Sequence, residues 1–563
     1  MNRKSARQTI RRLYEIRNRY GASFASEKLE LLKSIADSDV RAAADLKRLH
    51  LTLCFMRAFP DSGECLEKTS KVLEGFRSII DALSESQQEA LVDTGMVATD
   101  IHYHFSYEVA VWLARRFPGV ASIDWEELQD TGRLDELLEH LLQPSETDYF
   151  DSGRVSSEEW IGIAARHQPG TDFDWLISQL NDRRHHSRFW TSLYNAAEIP
   201  LSCALAESAM SATRNVFPVK QVHFRTEAMK NRVPRAKQEI TRPIRSLRRL
   251  SKRDGTQLID VAMSSLAVRH RETIHFNYAN PQEVWLADVG KGVSIAATGL
   301  VPEQRYPLEC TMGFLILSNG VPIGYGGSSM LFRQVNNGIN IFEEYRGSEA
   351  AWLWVQVMRV FHALSGCTRF IANPYQFGSD NTEALQSGAF WFYYRLGYRP
   401  VDKDVRKLAR KEYLKVQKGK RTPIAVLKQL ATCDMHLTLP GARQAEFFDE
   451  GWIEISSLLA TRQLALTGHQ SRRKAMDQLA RQLALDLNIS STESWAADEY
   501  KWFVRLAPII MALSPVDWPA RERNSLVTLM RAKGEQFERD FVTRFRKHGR
   551  FFHELKAACR RLA

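Results

Sequence analysis

The chain has 563 residues, too many for one hydrophobic core, which implies roughly two to four domains. Its composition, 44% hydrophobic and 25% charged, excludes a disordered or fibrous chain. A formal charge of +11 favours anionic partners, and the lack of any run of about 18 uncharged apolar residues argues against a transmembrane segment. The seven cysteines are scattered, odd in number and free of Cys-x-x-Cys pairs, so the expected compartment is the reducing cytoplasm. The basic start runs into the charged helical pattern of Arg11 and Arg12 rather than an apolar core, so no secretory leader is expected.

From Met1 to about Asp254 the text reads as helix, with apolar residues at three- and four-residue spacing in 46–59 and 107–117. Breaks fall at Pro60, Pro118 and Pro169, and no fixed repeat recurs. An irregular α-helical domain over 1–254 is the expectation. His102-Tyr103-His104 and His185-His186 lack further ligands at metal-site spacing, so no metal is expected.

Positive charge gathers in 220–253, where twelve Lys and Arg face only Glu227 and Glu239. Within it, Ile244 to Leu250 sets basic residues on one helical face and leucines on another. Such a segment suits an acidic carrier protein, RNA or anionic lipid, or serves as a solvated connector.

From Gly255 the pattern changes. A helix over 258–272 precedes strand-like runs at 283–288, 293–297 and 312–317. Asn319-Gly320 signals a two-residue hairpin, and Gly324, Gly326 and Gly327 in the return strand mark bulges or a close backbone approach. Asn337-Gly338 turns into the strand 339–342. Arg346-Gly347-Ser348 follows and opens a helix to about Leu364. A strand entering a tight turn and a helix start offers unpaired N–H groups and a positive dipole end to a phosphate. Another strand spans 367–372, Asp380 with Glu383 forms a capping box, and a helix over 381–396 ends at Gly397. Beyond Pro400, a basic helical stretch (403–421) leads into helical sequence to Ala563 that carries no recognisable chemistry and reads as scaffold or partner surface.

This order of elements, closing on Gly388-Ala389-Phe390-Trp391-Phe392-Tyr393-Tyr394-Arg395-Leu396-Gly397-Tyr398, resembles the GNAT superfamily of acyl-CoA-dependent N-acyltransferases over about residues 256–404. The resemblance implies an α+β fold: a central mixed β-sheet domain (255–404) between an N-terminal helical region (1–254) and a basic helical C-terminal region (405–563). It implies acyl-CoA or acetyl-CoA as co-substrate, held at Phe342, Arg346, Gly347, Ser348, Ala350, Ala351 and Asn381. It implies a bulged fourth strand along the pantetheine arm and Tyr393 as the general acid to the departing thiolate. Glu343 and Glu344 are the candidate general bases, on opposite faces of the strand, with Glu343 preferred.

One position departs from the family pattern, since Glu349 stands where the pyrophosphate turn carries glycine. Its charge would repel a phosphate unless the loop shifts register, basic side chains outweigh it, or the ligand is not CoA. The expected function is therefore acyl transfer from a CoA thioester to an amine. The alternatives are a carrier-protein or aminoacyl-tRNA donor, and a non-catalytic binding module. An acidic partner, carrier protein or RNA, would meet the basic segments 220–253 and 403–421.

Overall fold

The computed structural model describes residues 3–36, 38, 40–128, 130–181, 187–206, 208–230, 232–346, 349–443 and 447–562. Gly347 and Ser348 lie outside the described residues, as do His185 and His186. The protein is mixed α/β, with a large mixed sheet and many helices. Its contacts divide it into two compact units: 1–228 with 257–278 and 318–322, and 229–256 with 279–317 and 323–563.

The first unit is mostly helical, but it also contains a small antiparallel sheet in the order β1-β3-β2 (Asp100–Tyr103, Ala121–Ile123 and Leu201–Ala204). These strands are three and four residues long, too short for a period-two pattern to register against helical surroundings. The tip of the expected hairpin belongs to this unit. Asn319 (φ 47°) and Gly320 (φ 81°) adopt the left-handed backbone that a two-residue turn demands. Asn319 then works as a side chain as well: its amide donates to Ala58 O and His223 O at 3.1 Å each and accepts from His223 N–H at 2.8 Å.

The second unit carries nine strands in the order β11-β12-β10-β9-β8-β7-β6-β5-β4. In chain order these are β4 Ser246–Arg249, β5 Ala279–Gly290, β6 Val293–Leu300, β7 Cys310–Ser318, β8 Val321–Leu331 and β9 Gln334–Ile341. β10 Arg369–Ala372, β11 Arg399–Pro400 and β12 Met435–Thr438 complete the set. Two expectations are corrected here. The stretch 244–250, expected as a basic amphipathic helix, holds the edge strand β4, antiparallel to β5; its apolar residues recur at three-residue spacing, and the pairing with β5 overrides that local pattern. The helical-looking C-terminal region supplies β12, which lies between β10 and β11.

β8 and β9 pair without a register shift from Gly324–Ile341 to Leu331–Gln334. The glycines of β8 therefore mark close approach rather than a bulge, and the bulged strand implied by the resemblance is absent from this pair. A Cβ on Gly326 would come within 1.9 Å of Gly338 O and 2.4 Å of the Phe314 ring.

β9 and β10 are parallel, and the crossover between them is the central helix Ala350–Ser365. Its Leu353, Trp354, Val357, Phe361 and Leu364 form the expected apolar stripe, yet burial extends around to Gln356 and Arg359. Arg359 is satisfied by Arg242 O at 2.8 Å, Gln356 Oε1 at 2.9 Å and Pro243 O. The helix closes on Gly366, φ 69°.

C-terminal helices are locked to the sheet by buried charge. Arg305 donates to Lys533 O (2.7 Å) and Glu535 O (2.6 Å) and lies 3.7 Å from Glu283, while Lys533 pairs with Glu538 at 2.5 Å. Burial pushes the Glu283 carboxyl up to about 7, against the opposing pull of Arg305.

Candidate active site

Parallel neighbours that part at their carboxyl ends leave a crevice, the usual ligand position of such sheets. Here the ladder between β9 and β10 is registered from Gln334–Arg369 to Asn336–Ile371, and β10 stops at Ala372. β9 runs on to Ile341, so its last residues have no β10 partner. Instead, Asn337 O accepts from the Gln376 side chain at 2.7 Å. Gln376 sits on the 3-10 turn Pro374–Phe377, which Asn373 caps.

Tyr393 reaches this point from the helix Ala389–Leu396. Its hydroxyl donates to Gln376 Oε1 at 2.8 Å, and its ring packs edge-on against Trp354, Phe377 and Tyr398. The side chain is 5% exposed, and burial raises its pKa above the ordinary phenol value. The hydroxyl therefore keeps its proton at neutral pH.

Gln376 leads further, because its amide lies 3.4 Å from Asn336 Oδ1 and Asn336 Nδ2 donates to Glu450 Oε2 at 3.1 Å. The result is a polar chain Tyr393–Gln376–Asn336–Glu450 at the end of the β9–β10 ladder. Burial first, then the neighbouring Asp434, lifts the Glu450 carboxyl to about 7. A carboxyl raised toward neutrality and a fixed phenol, separated by the side chains of Gln376 and Asn336, are residue types that general acid–base chemistry uses. Glu450 was not legible in the sequence: it is 114 residues from Asn336 and sits in text with no motif. The available hint was the adjacent pair Asn336-Asn337 within β9.

The other expected site residues are placed as follows. Phe342 is buried with its ring 5.5 Å from Tyr325. Glu343 and Glu344 lie not on the strand, which ends at Ile341, but on a 3-10 turn (Glu343–Tyr345), so strand alternation does not sort them. Glu343 is exposed and Glu344 half-buried. Arg346 is 60% exposed and pairs with Glu383 at 3.3 Å, joining the end of the β9 turn to the helix Thr382–Ser387. Ala350 and Ala351 form the first turn of the central helix.

Asn381, not Asp380, caps the helix Thr382–Ser387, accepting from Ala384 N–H at 3.0 Å and donating to Tyr375 O at 3.0 Å. Asp380 takes φ 52° ahead of the cap.

Glu349 is the departure from the family pattern, and its surroundings are specific. It is 2% exposed at the N-cap position of the central helix. One carboxylate oxygen accepts from Lys230 N–H at 2.8 Å and from the Lys291 ammonium at 3.1 Å. Lys291 is presented by the β5–β6 turn, where Gly290, Lys291 and Gly292 all have positive φ, and its ammonium lies 4.8 Å from the Trp352 ring centre.

In the basic segment 220–253 every Lys and Arg but Arg225 is exposed. Arg225 is buried over Phe59, and Arg242 pairs with Glu239 at 2.8 Å. Among the described residues no group of three or more His, Cys, Asp or Glu is arranged to hold a metal, and no helix is long and apolar enough to cross a membrane. Comparison with protein-family models, curated proteins and solved structures finds nothing that matches the chain.

Proposed function

We propose that the crevice beyond β9 and β10 is an acyltransferase site that moves an acyl group from a CoA thioester to an amine. The observation that carries this reading is the Tyr393 hydroxyl, held by Gln376 at the strand end and kept protonated by burial. In the reaction the amine nitrogen attacks the thioester carbonyl and forms the C–N bond. Its proton passes to the carboxylate of Glu450, directly or through Asn336-bound solvent. The C–S bond breaks, and the departing thiolate takes the Tyr393 proton once the Gln376 side chain turns aside. The pairing of Glu349 with Lys291 supports a CoA donor, because a neutralised carboxylate no longer repels phosphate at the helix start.

A second reading keeps the reaction but replaces CoA with a carrier-protein or aminoacyl-tRNA donor. It is favoured by the Lys230 main chain, which is bonded to Glu349 at the helix start where a pyrophosphate would sit. Thermal melting separates the two. CoA or acetyl-CoA at a hundredfold excess over Kd adds about 2.7 kcal/mol to stability. No melting shift with any CoA thioester up to saturation sinks the first reading, and a salt-sensitive shift with charged tRNA or a carrier protein promotes the second.

A further inference from the structure

The helix Lys403–Gln417 carries a charge pattern that its own stability does not explain. Like charges four residues apart destabilise a helix, and stable solvated helices place acids at those positions. Here Lys403–Lys407, Arg406–Arg410, Lys407–Lys411 and Lys411–Lys415 are all cation–cation pairs. Of the acids nearby, Asp402 is spent on capping the helix, Glu412 is buried and paired with Lys415, and Asp404 pairs with Lys407.

The helix is also half embedded. Ala409 and Glu412 are buried, and the Tyr413 ring packs against Trp391 and Tyr394, 5.6 and 4.8 Å between centroids. All its cations, together with Lys418, Lys420 and Arg421 just beyond it, are solvent-exposed. The exposed half is thus a low, rigid, cationic ridge about 22 Å long at 1.5 Å per residue.

We propose that this ridge binds the phosphate backbone of double-stranded RNA. Cations spread over one exposed helix face suit a polyanion, whose binding is driven by counterion release. Single-stranded nucleic acid needs aromatic stacking platforms, and the tyrosine of this helix faces inward. The B-form major groove takes a helix that projects into it. A half-sunk ridge matches the wide, shallow minor groove of A-form RNA, whose phosphates and 2′-hydroxyls both accept from lysine. This proposal does not depend on the acyl-transfer reading.

The test is fluorescence anisotropy of the full-length protein with a labelled RNA duplex of roughly 20 base pairs. The same sequence as DNA duplex and as single strand provides the comparison. Affinity for the RNA duplex should be the highest of the three and fall on the order of 100-fold or more between about 50 and 200 mM salt. The triple variant Lys407→Glu, Arg410→Glu, Lys411→Glu should bind at least about tenfold more weakly with a shallower salt slope. A second triple variant beyond the helix, Lys418→Glu, Lys420→Glu, Arg421→Glu, should do the same if the first fails to fold. Leu414→Ser, at the 58%-exposed apolar position on the ridge, should leave affinity unchanged. Absence of RNA binding at low salt, equal or tighter binding to DNA or single strands, or charge-reversal variants that bind as the parent does would each overturn the proposal. So would loss of RNA binding in Leu414→Ser, which would mean that apolar contact rather than phosphate charge carries the binding.

Discussion

Glu349 and Lys291 meet at 3.1 Å across 58 residues of sequence, and their meeting decides what the start of the central helix can do. Alone, a carboxylate there stabilises the helix dipole by about 0.3–1 kcal/mol and repels any incoming phosphate. Paired with Lys291 and bonded to the Lys230 N–H, it becomes a buried structural group with its charge compensated.

Replacing Glu349 with Ala should therefore destabilise the protein by about 1–3 kcal/mol, because a part-buried N–H and a half-buried ammonium lose their acceptor. Glu349→Gln keeps an acceptor for Lys230 and should lose less. Urea unfolding of the two variants beside the parent provides the comparison; equal, negligible losses would show that the pair contributes nothing.

The raised carboxyl of Glu450 gives a pH signature. Its ordinary value is 4.5 and its folded value about 7, so between these the folded state holds a proton that the unfolded chain has released. Stability from this group is thus present at low pH and falls as pH rises through that window, with a limit of about 1.4 kcal/mol per pH unit for one proton. Glu450→Gln should flatten the loss of stability from about pH 5 to 7. A slope identical to the parent's would contradict the assigned environment.

Tyr393→Phe removes the donor to Gln376 Oε1 at a cost of about 1 kcal/mol. Acyl transfer should fall by about 10²–10⁴ in kcat if the phenol is the general acid. The measurements are a melting curve and single-turnover thiol release; unaltered turnover would remove Tyr393 from the chemistry.

Arg346 pairs with Glu383 at the surface, both largely exposed. Arg346→Ala should change stability by less than about 0.5 kcal/mol, since such pairs contribute little. If the turn holds CoA as proposed, the variant should reduce the melting shift with CoA, because it removes an exposed guanidinium at the turn. A variant that keeps the full shift would exclude the turn from ligand binding.

Gly326→Ala places a methyl 1.9 Å from Gly338 O. Overpacking of this kind costs about 1–3 kcal/mol, and here the obstacle is backbone, which cannot rotate away. A lowered denaturation midpoint with intact secondary structure is expected, and a neutral result would mean that β8 and β9 lie farther apart.

Much of the fold was written locally. The Asn319-Gly320 turn, the β8 glycines and the apolar stripe of the central helix follow from backbone sterics and side-chain period within a few residues. Short or fully buried elements were not legible. β1, β2 and β3 are shorter than the window in which alternation can be counted, and Ser246–Arg249 has helical apolar spacing and becomes a strand only by pairing with β5. β12 is four residues in a helical neighbourhood, and its place between β10 and β11 is a matter of long-range pairing alone.

By itself the sequence determined the hairpin, the strand–turn–helix order from Asn340 to Leu364, the aromatic run that contains Tyr393, and the unexpected acid at 349. These are consequences of local propensity and residue type. Only the tertiary structure decided that Glu349 is sheathed by Lys291 and Lys230 and that Tyr393 bonds Gln376. It also brought Glu450 beside Asn336 and moved the candidate bases Glu343 and Glu344 off the strand. The reason is burial. A carboxyl's charge state and reach depend on which distant segments remove its water, and that information lies in the packing of β5–β6, β9 and the C-terminal region rather than in any stretch of neighbours.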